Sequence, residues 1–140
     1  MNRIITIAAA LLAILCGCTR EQESNHPEWT FNSVLYEVNI RQFSPEGTFK
    51  GVQDQLPRLK ELGVDALWLM PCYEFGIEGR KGTLGSYYAI SDYCKTNPEF
   101  GSMEDFQELL SAAHALGFRV ILDWVANHTA WDSKWLAEGH

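Results

Sequence analysis

Apolar and polar positions alternate with two different periods along most of this chain. Val34, Tyr36, Val38 and Ile40 alternate with Glu37, Asn39 and Arg41, and this period of two predicts a strand over Ser33–Phe43. Val52, Leu56, Leu59 and Leu62 then recur at helical spacing and predict a helix over Val52–Leu62 that Gly63 stops. Pro57 sits inside that pattern, where its missing N–H costs a hydrogen bond, so the helix should kink or have a first turn that stands apart. Val64–Met70 is nearly all apolar, as expected of a strand buried on both faces. Ser102 is a good N-cap with Asp105 in the capping-box position, and Phe106, Leu109, Leu110, Ala113 and Leu116 share the face of a second helix that ends at Gly117. Phe118–Leu122 reads as a third strand, closed by Asp123.

The junctions Leu62-Gly63-Val64 and Leu116-Gly117-Phe118 share one plan, each leading from a helix into an apolar strand. This predicts an α/β fold of repeating βα units with a parallel sheet and right-handed crossovers. Two features depart from the simple repeat. Pro71–Gly101 is a connection of about thirty residues, a length that compact domains reserve for functional loops or disorder. It holds Tyr73, Phe75, Tyr87, Tyr88 and Tyr93, a composition that argues against disorder. The other departure is the polar cluster Asp123, Asn127 and His128 straight after the third strand. In a (β/α) barrel the C-terminal ends of the strands carry the active site, so loop and cluster should open on one rim.

The first residues have a different character. Arg3 precedes an apolar run, Ile4–Leu15, that is interrupted only by Thr6. The run is shorter than the roughly 20 residues that span a bilayer, and it suits the core of a signal peptide. Leu15-Cys16-Gly17-Cys18 resembles a bacterial lipobox. Residues 1–17 are therefore expected to be a lipoprotein signal peptide, Cys18 the lipidated residue and residues 18–32 a polar tether, with the folded part at 33–140. The protein is then exported and lipid-anchored on the periplasmic or cell-surface side, its membrane contact made through the lipid. An ordinary signal peptide with an unrelated cysteine is the alternative. Cys72 and Cys94 remain, either as a disulfide or as separate thiols.

A net charge of −7 and the lack of any basic stripe exclude nucleic acid as a partner. Aromatic residues make up 12%, which suits sugar rings and cores alike. Asp123-Trp124-Val125-Ala126-Asn127-His128-Thr129 places a carboxylate, an amide oxygen and an imidazole at the end of one strand. Singly, each has a plainer use: Asp123 as a cap, Asn127 as part of a sequon, His128 as an ordinary surface or core histidine. Together they mark a polar site without naming its reaction.

The motifs name it by resemblance. Asp-x-x-x-Asn-His at Asp123–His128 resembles the first signature region of the alpha-amylase family, glycoside hydrolase family 13. Gly85-Ser86-Tyr87-Tyr88-Ala89-Ile90-Ser91-Asp92-Tyr93 and Asn97-Pro98-Glu99-Phe100-Gly101 resemble the segment before that family's second helix. Val34–Phe43 and Leu67-Trp68-Leu69-Met70-Pro71 resemble its first two strands. The resemblance implies the N-terminal portion of a (β/α)8 TIM barrel, about three strands and two helices, incomplete at His140. It implies that Tyr88, with Tyr87 as competitor, stacks on a sugar ring. His128 would hydrogen-bond the primary hydroxyl of that ring, Asp123 would support the catalytic centre without attacking, and Asn127 would be a ligand of structural calcium. The activity implied is retaining hydrolysis or transglycosylation of α-glucosidic bonds in starch-like glucans or maltooligosaccharides. Its nucleophile and acid/base follow later strands in the family, so no catalytic residue is assigned within these 140 residues, and the fragment alone is expected to be inactive. A non-catalytic α-glucan-binding lipoprotein and a truncated gene product are the rival expectations.

Overall fold

A computed structural model describes residues 26–139. The expected signal peptide, the expected lipidation site Cys18 and most of the expected tether lie outside the described residues. An N-terminal unit ending at Phe31 contributes one 3-10 turn, Glu28–Thr30, in which Thr30 donates through its N–H to Pro27 O at 2.9 Å.

The second unit starts at Asn32. In chain order its strands are β1 (Leu35–Val38), β2 (Ala66–Leu69), β3 (Tyr73–Phe75), β4 (Ile90–Thr96) and β5 (Arg119–Leu122). Its helices are α1 (Ile40–Phe43), α2 (Phe49–Asp54), α3 (Leu56–Glu61), α4 (Met103–Ala115) and α5 (Lys134–Ala137). Strands β1, β2 and β5 form a parallel sheet in that order, with Leu35 opposite Ala66 and Ala66 opposite Arg119. The two expected βα turns are therefore present, as the opening portion of a TIM barrel whose sheet does not close among the described residues. Strand alternation sends Tyr36 and Val38, Leu67 and Leu69, and Val120 toward the helices, where they pack with Phe49, Leu59, Leu109 and Phe118. Ile121 and Leu122 of β5 remain 39% exposed, as an edge strand of an open sheet leaves them.

The first strand is shorter than its alternation predicts. Its last rung is Met70 N–H to Val38 O at 3.0 Å. The chain turns helical at Ile40, which stays buried, while Phe43 meets Tyr36 edge-on at 6.2 Å. The first helix is two helices. Thr48 caps α2 by accepting from Gly51 N–H, and Pro57 falls in the first turn of α3, where an N–H has no helical partner to lose. Leu62, expected on the apolar stripe, is the C-cap and 63% exposed.

The second helix follows its predicted caps. Ser102 Oγ accepts from Asp105 N–H at 3.1 Å and Asp105 Oδ2 accepts from Ser102 N–H at 2.7 Å. Gly117 reverses the chain at φ +80°, a conformation that favours glycine.

The long connection holds an unexpected antiparallel pair, β3 with β4, in irregular register. Period-two alternation is weak there, and the pair is held instead by its aromatic core. Phe75 packs edge-on against Phe100 at 5.8 Å, and Phe100 against Phe49 at 6.1 Å. The two cysteines are unpaired: Cys72 is buried and Cys94 exposed. Burial pushes the Cys72 thiol up to about 11.

Candidate active-site rim

The parallel strands deliver their connections to one edge of the sheet. Asp123 N–H donates to Leu69 O at 3.0 Å, which extends the β2–β5 ladder by one rung and fixes the backbone of Asp123 at the rim. The long connection returns to this edge from the other side. Tyr88 donates its hydroxyl to Asp123 Oδ2 at 3.2 Å, and its own backbone N–H donates to Ser86 Oγ at 3.2 Å. Partial burial, the Asp123 charge, the hydrogen bond to Asp123 and Glu37 all hold the Tyr88 phenol above its ordinary range. Tyr73 is raised as well, by burial first and then by Cys72, Asp123 and Tyr93.

Tyr87, the competitor of Tyr88, is used for packing. Its ring lies edge-on to Phe75 at 5.7 Å and beneath the Arg41 guanidinium at 4.8 Å. Asn127 and His128 meet each other, with the Asn127 amide nitrogen 3.2 Å from His128 Nδ1. With the amide as donor, Nδ1 accepts and a neutral ring carries its proton on Nε2. The structure thus joins Tyr88 directly to Asp123 and joins Asn127 to His128. Asp123, Asn127 and His128 stand on the segment that follows β5, and Tyr88 on the connection between β3 and β4.

Three residues outside the motif assignments, Tyr93, Asp132 and Arg41, hold this rim. Tyr93 donates to Val125 O at 2.6 Å and His128 O at 3.1 Å, and its ring stacks on Trp135 at 4.5 Å. It therefore ties β4 to the turn that carries Asn127 and His128. Burial raises its phenol, opposed by the Thr129 hydroxyl. Asp132 Oδ2 accepts from Ile77 N–H at 2.7 Å and Glu78 N–H at 3.1 Å, which holds its carboxyl below the usual range. Gly76 is the residue those contacts require, because a Cβ there would strike Ala130 and Asp132. Arg41 pairs with Glu99 at 2.8 Å and lies within 6 Å of three ring centroids, those of Tyr87, Phe75 and Phe100. Arg41 follows buried Ile40 in the chain, a place too costly for a charge without partners.

Calcium takes 6–8 oxygen ligands. Asn127 offers one amide oxygen, and no group of three or more His, Cys, Asp or Glu is poised for a metal among the described residues.

A parallel βα sheet with a polar, tyrosine-bearing rim at its C-terminal edge matches the opening portion of a (β/α) barrel, a fold that carries its functional sites on that rim. The model of the alpha amylase catalytic domain matches residues 18–140, and the chain belongs to that family. Oligo-1,6-glucosidase of Bacillus cereus is 38% identical over 116 residues, covering 79% of this chain and 20% of that protein. The trehalose synthase/amylase of Mycolicibacterium smegmatis is 41% identical over 115 residues, covering 79% of this chain and 18% of its own length. The crystal structure of an alpha-amylase from Lactobacillus plantarum superposes with a TM-score of 0.76 at 49% identity, covering 77% of this chain and 26% of that one. The chain spans about a fifth of the length of these curated relatives.

Proposed function

We propose that this chain is the opening part of a retaining glycoside hydrolase or transglycosylase acting on α-glucosidic bonds of starch-like glucans or maltooligosaccharides. The observation that carries the proposal is the Tyr88–Asp123 hydrogen bond, which brings the long connection and the end of β5 to one rim. Membership of the alpha-amylase family supports it, as do the α-glucoside-acting names of the relatives.

In this reading the face of Tyr88 supports one glucosyl ring, while its hydroxyl, tied to Asp123, keeps the phenol from rotating away. His128 donates from Nε2 to the primary hydroxyl of that ring, and Tyr93 holds its backbone at the right height. Asp123 orients and does not attack. A retaining reaction needs two carboxylates about 5–5.5 Å apart, a nucleophile and an acid/base. We assign neither within these 140 residues, and residues 19–140 alone would not cleave glucans. Asn127 would give one oxygen to a structural calcium, and other segments would supply the rest. Residues 1–17 would direct export, and lipid on Cys18 would anchor the protein to a bacterial membrane with residues 18–32 as tether. Two or more acyl chains anchor stably where one does not.

The test uses the complete reading frame that contains this chain. Purified protein is incubated with maltohexaose, and the anomeric configuration of the first product is followed by proton NMR. Release of the α-anomer first is expected. Release of the β-anomer first, or no cleavage or transfer at all, overturns the proposal.

A further inference from the structure

We infer that the cleft between the loop 76–86 and the segment 129–131 is a second sugar-binding site, in which the Trp131 indole stacks on a glucosyl unit neighbouring the one at Tyr88. The inference rests on the function proposed above and deepens it.

The cleft measures about 390 Å³ and is lined by Glu78, Arg80, Lys81, Ser86, Thr129 and Trp131, among others. Small-molecule sites run from roughly 300 to 1,000 Å³. A pyranose ring has a face of C–H bonds that packs on an aromatic plane and a rim of hydroxyls that needs hydrogen-bond partners. The cleft offers both: an indole that is 79% exposed, and around it charged and hydroxyl side chains.

Exposure alone would say little, since Trp124 is 67% exposed and lies outside the cleft. Trp131 differs in how it is held. Thr129 Oγ1 donates to Ile90 O at 2.6 Å and Ala130 N–H donates to the same oxygen at 2.9 Å. On the other side Asp132 clasps the backbone of Ile77 and Glu78. The backbone on both flanks of Trp131 is therefore pinned to the hairpin, so little freedom is lost when a ligand lands on the ring. Trp135, four residues on, shows the other use of an indole, stacked on Tyr93 with an interplanar angle of 6°.

Continuity with the Tyr88 rim names the occupant. Ser86 lines the cleft and accepts from Tyr88 N–H, and Ala89 lines it and follows Tyr88. Thr129 lines it and follows His128. Chain neighbours of both sugar-binding candidates thus line the cleft, which makes a glucosyl unit next to the one at Tyr88 its proposed occupant.

The test compares maltose and maltohexaose as substrates of the complete protein. Trp131→Ala is expected to lower the kcat/KM preference for maltohexaose over maltose about tenfold, the equivalent of ~1.4 kcal/mol. Trp131→Phe, which keeps a ring, is expected to retain most of that preference while losing the fluorescence change that maltohexaose produces in the unmodified protein. An unchanged preference in Trp131→Ala, with both substrates still processed, overturns the second site and leaves the proposed function standing. Absence of activity and binding toward every α-glucan in the unmodified protein overturns both.

Discussion

Tyr88 and Asp123, thirty-five positions apart, are joined by a phenol-to-carboxylate hydrogen bond of 3.2 Å. The bond separates two contributions that a tyrosine can make to a sugar site, its face and its hydroxyl. Tyr88→Phe keeps the face and releases Asp123. Tyr88→Ala removes both. In the complete protein, Tyr88→Ala is expected to lower kcat/KM on maltooligosaccharides about a hundredfold, and Tyr88→Phe about tenfold, a spacing of ~1.4 kcal/mol per decade. Equal losses in the two variants would show that the hydroxyl, and not the ring face, carries the effect.

The same pair predicts a titration. Burial first, and then the charge and hydrogen bond of Asp123, disfavour the phenolate, so Asp123→Asn should bring the Tyr88 pKa part of the way down toward 10.0. A raised pKa in the fold stabilises below the unfolded value, and that contribution fades as pH rises through the folded one. Ultraviolet difference spectra above pH 9, with Tyr88→Phe as the blank, should show one tyrosine ionising at lower pH in the Asp123→Asn protein. A spectrum unmoved by the substitution would separate the two residues.

Sequence periodicity located the βα repeat because that repeat depends on short-range rules. Ser102 and Asp105 cap α4 with their own neighbours, and Gly117 adopts a positive φ that residues with a side chain rarely take. The β3–β4 pair was hidden because Tyr73, Phe75 and Ile90 are held through Phe100, Tyr93 and the segment after His128, partners distant in sequence. The roles given to Tyr88, Asp123, Asn127 and His128 came from the resemblance of their segments to the family's motifs. Arg41, Tyr93 and Asp132 received no such role, since what distinguishes them is the set of groups that folding brings around them.

Arg41 illustrates how such a residue can be tested. Its ion pair with Glu99, which is 46% exposed, is worth at most about 1 kcal/mol. Its place over the rings of Tyr87, Phe75 and Phe100 depends on a planar guanidinium. Thermal unfolding should therefore rank Arg41→Met as most damaging, at about 2 kcal/mol, then Arg41→Lys, then Glu99→Gln at under about 1 kcal/mol. If Glu99→Gln costs as much as Arg41→Met, the ion pair and not the ring cage holds the residue.

The cysteines should differ in reactivity. Burial holds the Cys72 thiol near 11, so almost none of it is thiolate at neutral pH, while Cys94 is exposed. In protein whose other thiols are blocked or lipidated, an aromatic disulfide reagent at pH 8 should modify Cys94 at once and Cys72 only on unfolding. Cys94→Ser should abolish the fast phase. Rapid modification of Cys72 in the folded protein would contradict its burial.

Acid should loosen this unit at two defined places. Asp105 is lowered mainly by the Ser102 N–H, and Asp132 by the Ile77 N–H with Glu78 adding to it. A carboxylate whose folded pKa lies below the ordinary 3.8 stabilises the fold above that value and loses the contribution as pH falls through the folded pKa. Protonation would free the start of α4 in one case and the strap carrying Trp131 in the other. Asp105→Asn and Asp132→Asn should each flatten the fall in thermal midpoint below about pH 4. Asp132→Asn should in addition speed amide exchange at Ile77 and Glu78 at neutral pH, because the amide oxygen that replaces the carboxylate accepts more weakly. Exchange at those two amides that is unchanged in Asp132→Asn would mean that the strap is held by Thr129 and Ala130 alone.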